Sequence, residues 1–413
     1  MSTGGPLLGL LGIASYILLC QIPISLMVTE LCCAFPENGG FAVWVMTAFG
    51  PFWGFQIGYW AWIVSVINNA IYPGNIYQTI TNAVGVEAKS GFIAYLIKLA
   101  IAAVLVLPSY LGVRLIGKTS LLMISLVIVL TIVYSVWAFA AGENAFFRLR
   151  ETRTIAGSTE DDDVDWSLLI RTLFWNFDGI HWISMIGGEV RNPAHTYPRV
   201  IYSTIAVAVV VYIVPFLASI VANKTPWRDM DEDSYPVIAQ AIGGSGLHGI
   251  VVFTSLVSLI GLFANSVFLQ SFLVQGMAQS QLLPGLLRKR STRFKTPKYA
   301  LLVGFLATMV LLGMDFSNLL TMTNAFSCAV QILIVLAMLQ LRRAFPYLQR
   351  PSRVPGNFWT LVIMLVPCTA VFVLGIASTV FELKIALLSV AFAVPGVVFP
   401  TVRKWLAGHR ICG

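Results

Sequence analysis

The chain has 413 residues, of which 58% are hydrophobic and 11% charged, with a mean hydropathy of +0.83. Soluble domains carry about 25% charged residues, so a large soluble fold is excluded and a polytopic membrane protein is indicated. The net charge of +8 is read as cations sorted by membrane side, not as a nucleic-acid surface.

Eleven apolar segments read as spans, roughly 6–33, 52–82, 91–112, 119–141, 166–188, 199–222, 248–278, 299–314, 317–341, 358–379 and 383–407. The 299–314 segment is short, and its separation from 317–341 rests on Asp315, Ser317 and Asn318. The expected fold class is therefore all-α, with residues 1–413 forming a single transmembrane domain. The longest polar connections, at 143–165, 223–247, 280–298 and 342–357, are too short to fold alone.

The first segment lacks a basic leader, so a signal peptide is not expected. It ends at Glu30, followed by Phe35-Pro-Glu-Asn-Gly-Gly-Phe41, a tight turn into the next span. Glu30 is a candidate for proton coupling or for pairing with a cation, and anchoring the turn is the preferred reading. In span 52–82, Ser65, Asn68, Tyr72 and Asn75 follow one helix face, with Asn69 beside them and Pro73 expected to bend the helix. Amides on such a stripe can bond neighbouring helices, and Asn68 and Tyr72 are also candidates to face a substrate.

Span 166–188 is the most informative. Its middle reads Phe174-Trp-Asn-Phe-Asp-Gly-Ile-His-Trp182. A mid-membrane carboxylate costs about 2.5–3.5 kcal/mol on insertion scales, so Asp178 is expected to face a cavity or a partner. Gly179 permits unwinding, and the freed backbone groups of Asn176, Phe177, Asp178, Gly179 and Ile180 would then meet protein, water or a guest. This is the sequence pointer to a binding site at mid-membrane. Trp175 is favoured as a gating aromatic, with Phe177 as the other candidate. Asp178 and His181 are candidates to carry a coupling proton.

Span 248–278 carries Asn265, Ser266, Gln270, Ser271 and Gln275, and span 317–341 carries Thr321, Thr323, Asn324, Ser327 and Gln331. Interhelical hydrogen bonding accounts for most of them; Asn265, Ser266 and Asn324 lie deep enough to line a pathway. Arg288 to Lys295 could touch anionic lipid, although an orientation-setting solvated loop is the plainer reading.

No His-Glu-x-x-His, Gly-x-Ser-x-Gly or Gly-x-x-x-x-Gly-Lys motif is present, and the four histidines are dispersed. The six cysteines show no metal spacing and read as small apolar packers. No enzyme activity, cofactor or metal is expected. With connections taken alternately, one side holds 17 Lys and Arg and the other 7, so the richer side and the C-terminus are expected in the cytoplasm. The acidic runs Glu160–Asp163 and Asp229–Asp233 and the glycosylation sequon at Asn223 fall on the other side.

Four passages carry a family resemblance. Thr29-Glu-Leu-Cys-Cys-Ala-Phe-Pro-Glu-Asn-Gly-Gly-Phe41 is similar to the exit of the second helix of the amino acid–polyamine–organocation superfamily. Ala48-Phe-Gly-Pro-Phe-Trp-Gly-Phe-Gln-Ile-Gly-Tyr-Trp60 is similar to the start of its third. Phe174 to Ile180, continuing to Gly188-Glu-Val-Arg-Asn-Pro193, resembles its unwound sixth helix, and Arg350-Pro-Ser-Arg-Val-Pro355 the loop before its eleventh. The chain most resembles the branch of eukaryotic polyamine uptake and L-type amino acid transporters.

The resemblance implies two inverted five-helix repeats plus two further helices: 6–141 as the remainder of the first repeat, 166–341 as the second, and 358–407 as the extra pair. The match begins at Gly4-Gly5-Pro6, the approach to the family's second helix, so its first helix is missing. A shortened gene model and a true eleven-span protein are the two readings of that. Plant-type polyamine carriers tend to place acids on the third, sixth and eighth helices. The matching places here, Asn68, His181 and Ala264-Asn265-Ser266, are neutral or basic, which keeps amino acids level with polyamines as substrates.

The expectation is a secondary transporter working by alternating access on a small cationic or zwitterionic substrate, with lipid as its surroundings and a proton as the candidate coupling ion. A plasma or internal organelle membrane is the expected location. The alternatives are a transport-inactive carrier acting as a partner or scaffold subunit, and a channel.

Overall fold

The computed structural model describes residues 4–86, 90–142, 145–153, 164–222, 224, 226–229, 234–314, 316–380 and 383–410. The expected sequon at Asn223, the acidic run Glu160–Asp163 and most of the run ending at Asp233 lie outside the described residues. Among the described residues all the regular elements are helical. They are α1 (Pro6–Tyr16), α2 (Ile22–Ala34), α3 (Phe41–Phe49), α4 (Pro51–Val84), α5 (Gly91–Leu111), α6 (Val113–Ala141), α7 (Trp166–Phe177), α8 (Pro193–Ala222), α9 (Ser234–Gln279), α10 (Lys298–Leu311), α11 (Phe316–Ala344), α12 (Phe358–Val380) and α13 (Leu383–Arg410).

Each expected apolar segment coincides with helical structure, and the local chemistry explains the bounds. Pro6 and Pro51 occupy first-turn positions, where the missing N–H costs nothing. Asp165 caps α7 by accepting from the Leu168 N–H at 2.9 Å, and Ser90 caps α5. Gly85 closes α4 in the left-handed conformation. α4 runs on through Pro73 to Val84. α9 is kinked at Gly243-Gly244, where both residues leave helical geometry. α1 and α2 form one rod joined by a π-helical turn, Ile17–Gln21, a distortion frequent at functional sites.

Among the described residues seven helices are long and apolar enough to cross a membrane, including Pro6–Ala34, Val113–Ala141, Pro193–Ala222 and Ser234–Gln279. Their outward faces are apolar: Phe92, Leu121, Leu122, Val136, Val310 and Ile363 are exposed. In water such a belt would be an aggregation surface, whereas in a bilayer it is the lipid-facing side. The chain is thus a polytopic helical integral membrane protein. At its centre α4 packs against α9 and α11, α11 against α12, and α6 against α8 and α9. The five described cysteines are buried and free.

The span that begins at Trp166 does not continue as one rod. α7 stops at Phe177. Asp178 is extended (φ −69, ψ 144) and Gly179 takes φ +129, which side-chain-bearing residues rarely adopt. The chain resumes as 3₁₀ turns, Ile180–Met185 and Gly187–Glu189, before Pro193 opens α8.

Candidate functional site

The broken end of α7 is held by groups from α1, α8 and α11. In an unbroken helix the Asn176 carbonyl would accept from residue 180; here it accepts from the Tyr212 hydroxyl of α8 at 2.8 Å. The Asn176 amide turns back to the Thr172 carbonyl at 2.8 Å. The Phe177 ring is buried between Tyr16, at 5.4 Å, and Tyr212, at 4.9 Å. Trp175, two residues earlier, is half-buried and has no ring partner among the described residues. Tyr212→Phe is expected to leave the Asn176 carbonyl unsatisfied and to lower stability by about 1–3 kcal/mol. Chemical denaturation in detergent would measure the loss, and an unchanged midpoint would show that the break needs no cap.

Past the break, three side chains meet. Gln331 of α11 donates from Nε2 to Asp178 Oδ1 at 2.9 Å and stands 3.0 Å from His181 Nδ1. Asp178 Oδ1 and His181 Nδ1 are 3.7 Å apart. The opposite amide orientation would set Gln331 Oε1 against the Asp178 carboxylate, so the nitrogen belongs where it is. An amide nitrogen offers two hydrogens and no acceptor, so His181 Nδ1 accepts and its proton sits on Nε2. That Nε2 is buried with no partner among the described residues, as are Gln331 Oε1 and Asn324 Oδ1. Asn324, Cys328 and Gln331 share one face of α11, at i, i+4 and i+7. Tyr16, stacked on Phe177, lies beside the break.

The other sequence candidates lie as follows. Gly179 and Ile180 form the bend, with Ile180 packed on the core. Tyr72 packs among residues of α5, α9 and α10. Asn68 and Ser266 are half-buried, without side-chain hydrogen bonds among the described residues. Asn265 accepts from Ser120 of α6 and donates to the Gly261 carbonyl, both at 2.8 Å, so both ends of its amide are engaged. Asn69, beside the polar stripe, donates to Gln270 at 2.9 Å and ties α4 to α9.

The turn Phe35–Phe41 and the segment after the break form a clamp. Gly39 N–H donates to the Met185 carbonyl at 3.2 Å, Gly188 N–H donates to Asn38 Oδ1 at 3.0 Å, and Arg290 reaches Glu189 at 2.6 Å. Gly40 allows the approach, because a Cβ there would overlap Ser184. Below the clamp, Glu30 is fully buried and both its oxygens are engaged. Arg342 donates two hydrogen bonds, Arg350 sits at 2.8 Å, and the Val354 N–H donates at 2.7 Å. Burial lowers the Arg350 guanidinium, and the Glu30 carboxylate opposes that shift.

Sequence reasoning missed Tyr212, which reads as one more aromatic in an apolar span. It placed Gln331 among the interhelical bonds and Arg342 and Arg350 among the orientation-setting cations. A lone long amide mid-span, seven residues from another, was the available signal for Gln331.

A helix broken around a carboxylate with buried polar groups beside it, set among helices long and apolar enough to cross a membrane, defines a membrane permease. The profile of the amino acid permease family matches residues 1–406, and the chain belongs to that family. It is 30% identical over 407 residues to "Polyamine transporter RMV1" of Arabidopsis thaliana, covering 98% of this chain and 80% of that one. It is 31% identical over 413 residues to "Polyamine transporter PUT1" of Oryza sativa subsp. japonica, covering 99% and 75%. A more distant likeness, 26% over 189 residues (45% and 40%), joins it to "Branched-chain amino acid permease BcaP" of Bacillus subtilis. The chain is a transporter and not an enzyme.

Proposed function

We propose that the chain is a secondary transporter of amino acids or polyamines that works by alternating access, with its substrate site at the break after Phe177. The observation that carries this reading is the cluster of buried, unpartnered polar atoms beside a mid-membrane carboxylate. Unmatched buried polar groups each cost about 1–3 kcal/mol, and a passing polar guest would satisfy them. Asp178, Gln331 Oε1 and Asn324 Oδ1 would accept from an ammonium, and the His181 Nε2–H would donate to a carboxylate. Likeness to polyamine transporters supports a substrate with at least one amine. A single carboxylate is a modest counter-charge for a polycation, which keeps amino acids in the proposal.

Trp175 is the favoured gate, because it lacks a ring partner while Phe177 is fixed between two tyrosines. Tyr72 and Asn68 would line the wall toward α4, with Ser266 beyond it, and Asn265 would brace α6 against α9. Asp178 and His181 remain the candidates for a coupling proton. Glu30, whose oxygens are already engaged by two guanidinium groups and an N–H, is better read as an anchor. The division into 6–141, 166–341 and 358–407 is proposed as the two repeats and the extra pair. The cation excess supports placing the 280–298 and 342–357 connections and the C-terminus in the cytoplasm.

Uptake of labelled putrescine and labelled arginine in cells expressing the chain tests the reading. Saturable accumulation of at least one is expected. Current without saturation would indicate a channel, and no uptake at normal surface expression would favour the inactive-subunit alternative.

A further inference from the structure

Where the connection between α9 and α10 meets α13, the fold leaves a cavity of about 330 Å³. One side is the turn Gln281 to Gly285 with Arg288, and the other is Phe399. Residues 280–298 carry Arg288, Lys289, Arg290, Arg293, Lys295 and Lys298 and no acid. Several of these cations are already occupied. Arg290 pairs with Glu189 and covers the Phe272 ring, Arg293 lies over Phe294, and Lys298 over Tyr299. Arg288 is exposed, and its guanidinium makes no ion pair or hydrogen bond among the described residues.

The opposite wall is apolar. Phe399 stacks on Phe55 at 5.2 Å, which fixes its ring, and Val394, Val397 and Val398 are exposed along the same stretch of α13. A free guanidinium therefore stands at the rim of a hollow whose far wall continues into a lipid-facing helix. A soluble anion would use only the first feature and a neutral lipid only the second. A headgroup of net negative charge carried on an acylated glycerol uses both, and basic pockets between membrane helices suit such headgroups.

We infer that this cavity binds an anionic glycerophospholipid of the adjoining leaflet, with Arg288 on its net negative headgroup and an acyl chain along α13 past Phe399. The site is separate from the break in α7, and its test reads binding alone, so failure of the carrier reading would leave it standing.

The test is native mass spectrometry of the full chain in neutral detergent, titrated with dioleoyl phosphatidylserine or dioleoyl phosphatidylcholine. Phosphatidylserine is expected to be retained at least fivefold more than phosphatidylcholine. Arg288→Ala is expected to remove that preference, Arg293→Ala to keep it within twofold, and millimolar inorganic phosphate to leave it intact. Three results would overturn the inference. Equal retention of both lipids would deny the preference. An equal loss in both variants would mean diffuse attraction by the whole basic segment. Displacement by inorganic phosphate would mean a free-anion site.

Discussion

Uptake by an Asp178→Asn variant is expected to fall about fivefold or more for any substrate bearing an ammonium group, at unchanged surface expression. At an effective dielectric near 20, a unit charge about 4 Å from another is worth roughly 4 kcal/mol before desolvation is subtracted, so even a quarter of that gives about a fivefold change. The substitution also constrains one hydrogen bond: with its nitrogen facing Gln331 Nε2, the new amide would set two donors together, whereas its oxygen would keep the 2.9 Å contact. Gln331→Leu separates the two effects. It keeps the carboxylate but removes the donor shared by Asp178 and His181, so KM is expected to rise several-fold while uptake persists at saturation. Wild-type KM in both variants would remove the break in α7 as the substrate site. Selective loss in Asp178→Asn across an external pH range, with exchange of preloaded substrate preserved, would instead assign Asp178 to proton coupling.

The second large effect is on stability. Glu30→Gln is expected to destabilise the fold by about 3–5 kcal/mol, because it leaves two guanidinium groups without their counter-charge in a site closed to water. The side chains of Glu30, Arg342 and Arg350 are 0%, 5% and 8% exposed. The network joins α2 to the end of α11, and through Arg350 and Val354 to the connection before α12, so its loss is expected to loosen three elements together. Arg342→Leu should cost less, since Arg350 and the Val354 N–H still meet the carboxylate. Thermal unfolding in detergent measures both. Equal melting temperatures for Glu30→Gln and wild type would mean that the cluster contributes nothing net, as some buried ion pairs do.

These two clusters also show how far the sequence could be read. The Asp178 break was legible because lipid leaves few alternatives: a carboxylate and a glycine inside a span must bend the helix or meet a partner. Glu30 was legible as a candidate to pair with a cation, but its partners lie 312 and more residues away, and nothing in a local pattern names them. Asn265 and Asn324 looked alike in the sequence, each an amide deep in a span. In the fold Asn265 is engaged at both ends, while Asn324 Oδ1 is buried without a partner among the described residues, on the face that carries Gln331.

The sequence by itself determined the membrane setting, the positions of the helical spans, the broken span and the family. The first three follow from composition, from a period along one helix, or from the cost of a polar group in hydrocarbon, all of which are local quantities; the family was carried by the resemblance of four short passages. Only the tertiary structure decided which polar groups share a space: Gln331 with Asp178 and His181, Tyr212 with the freed Asn176 carbonyl, Arg342 and Arg350 with Glu30. A hydrogen bond is directional and spans about 3 Å, so which amide binds and which merely braces depends on how separate helices are rotated against one another, and that rotation is set by packing across the whole bundle.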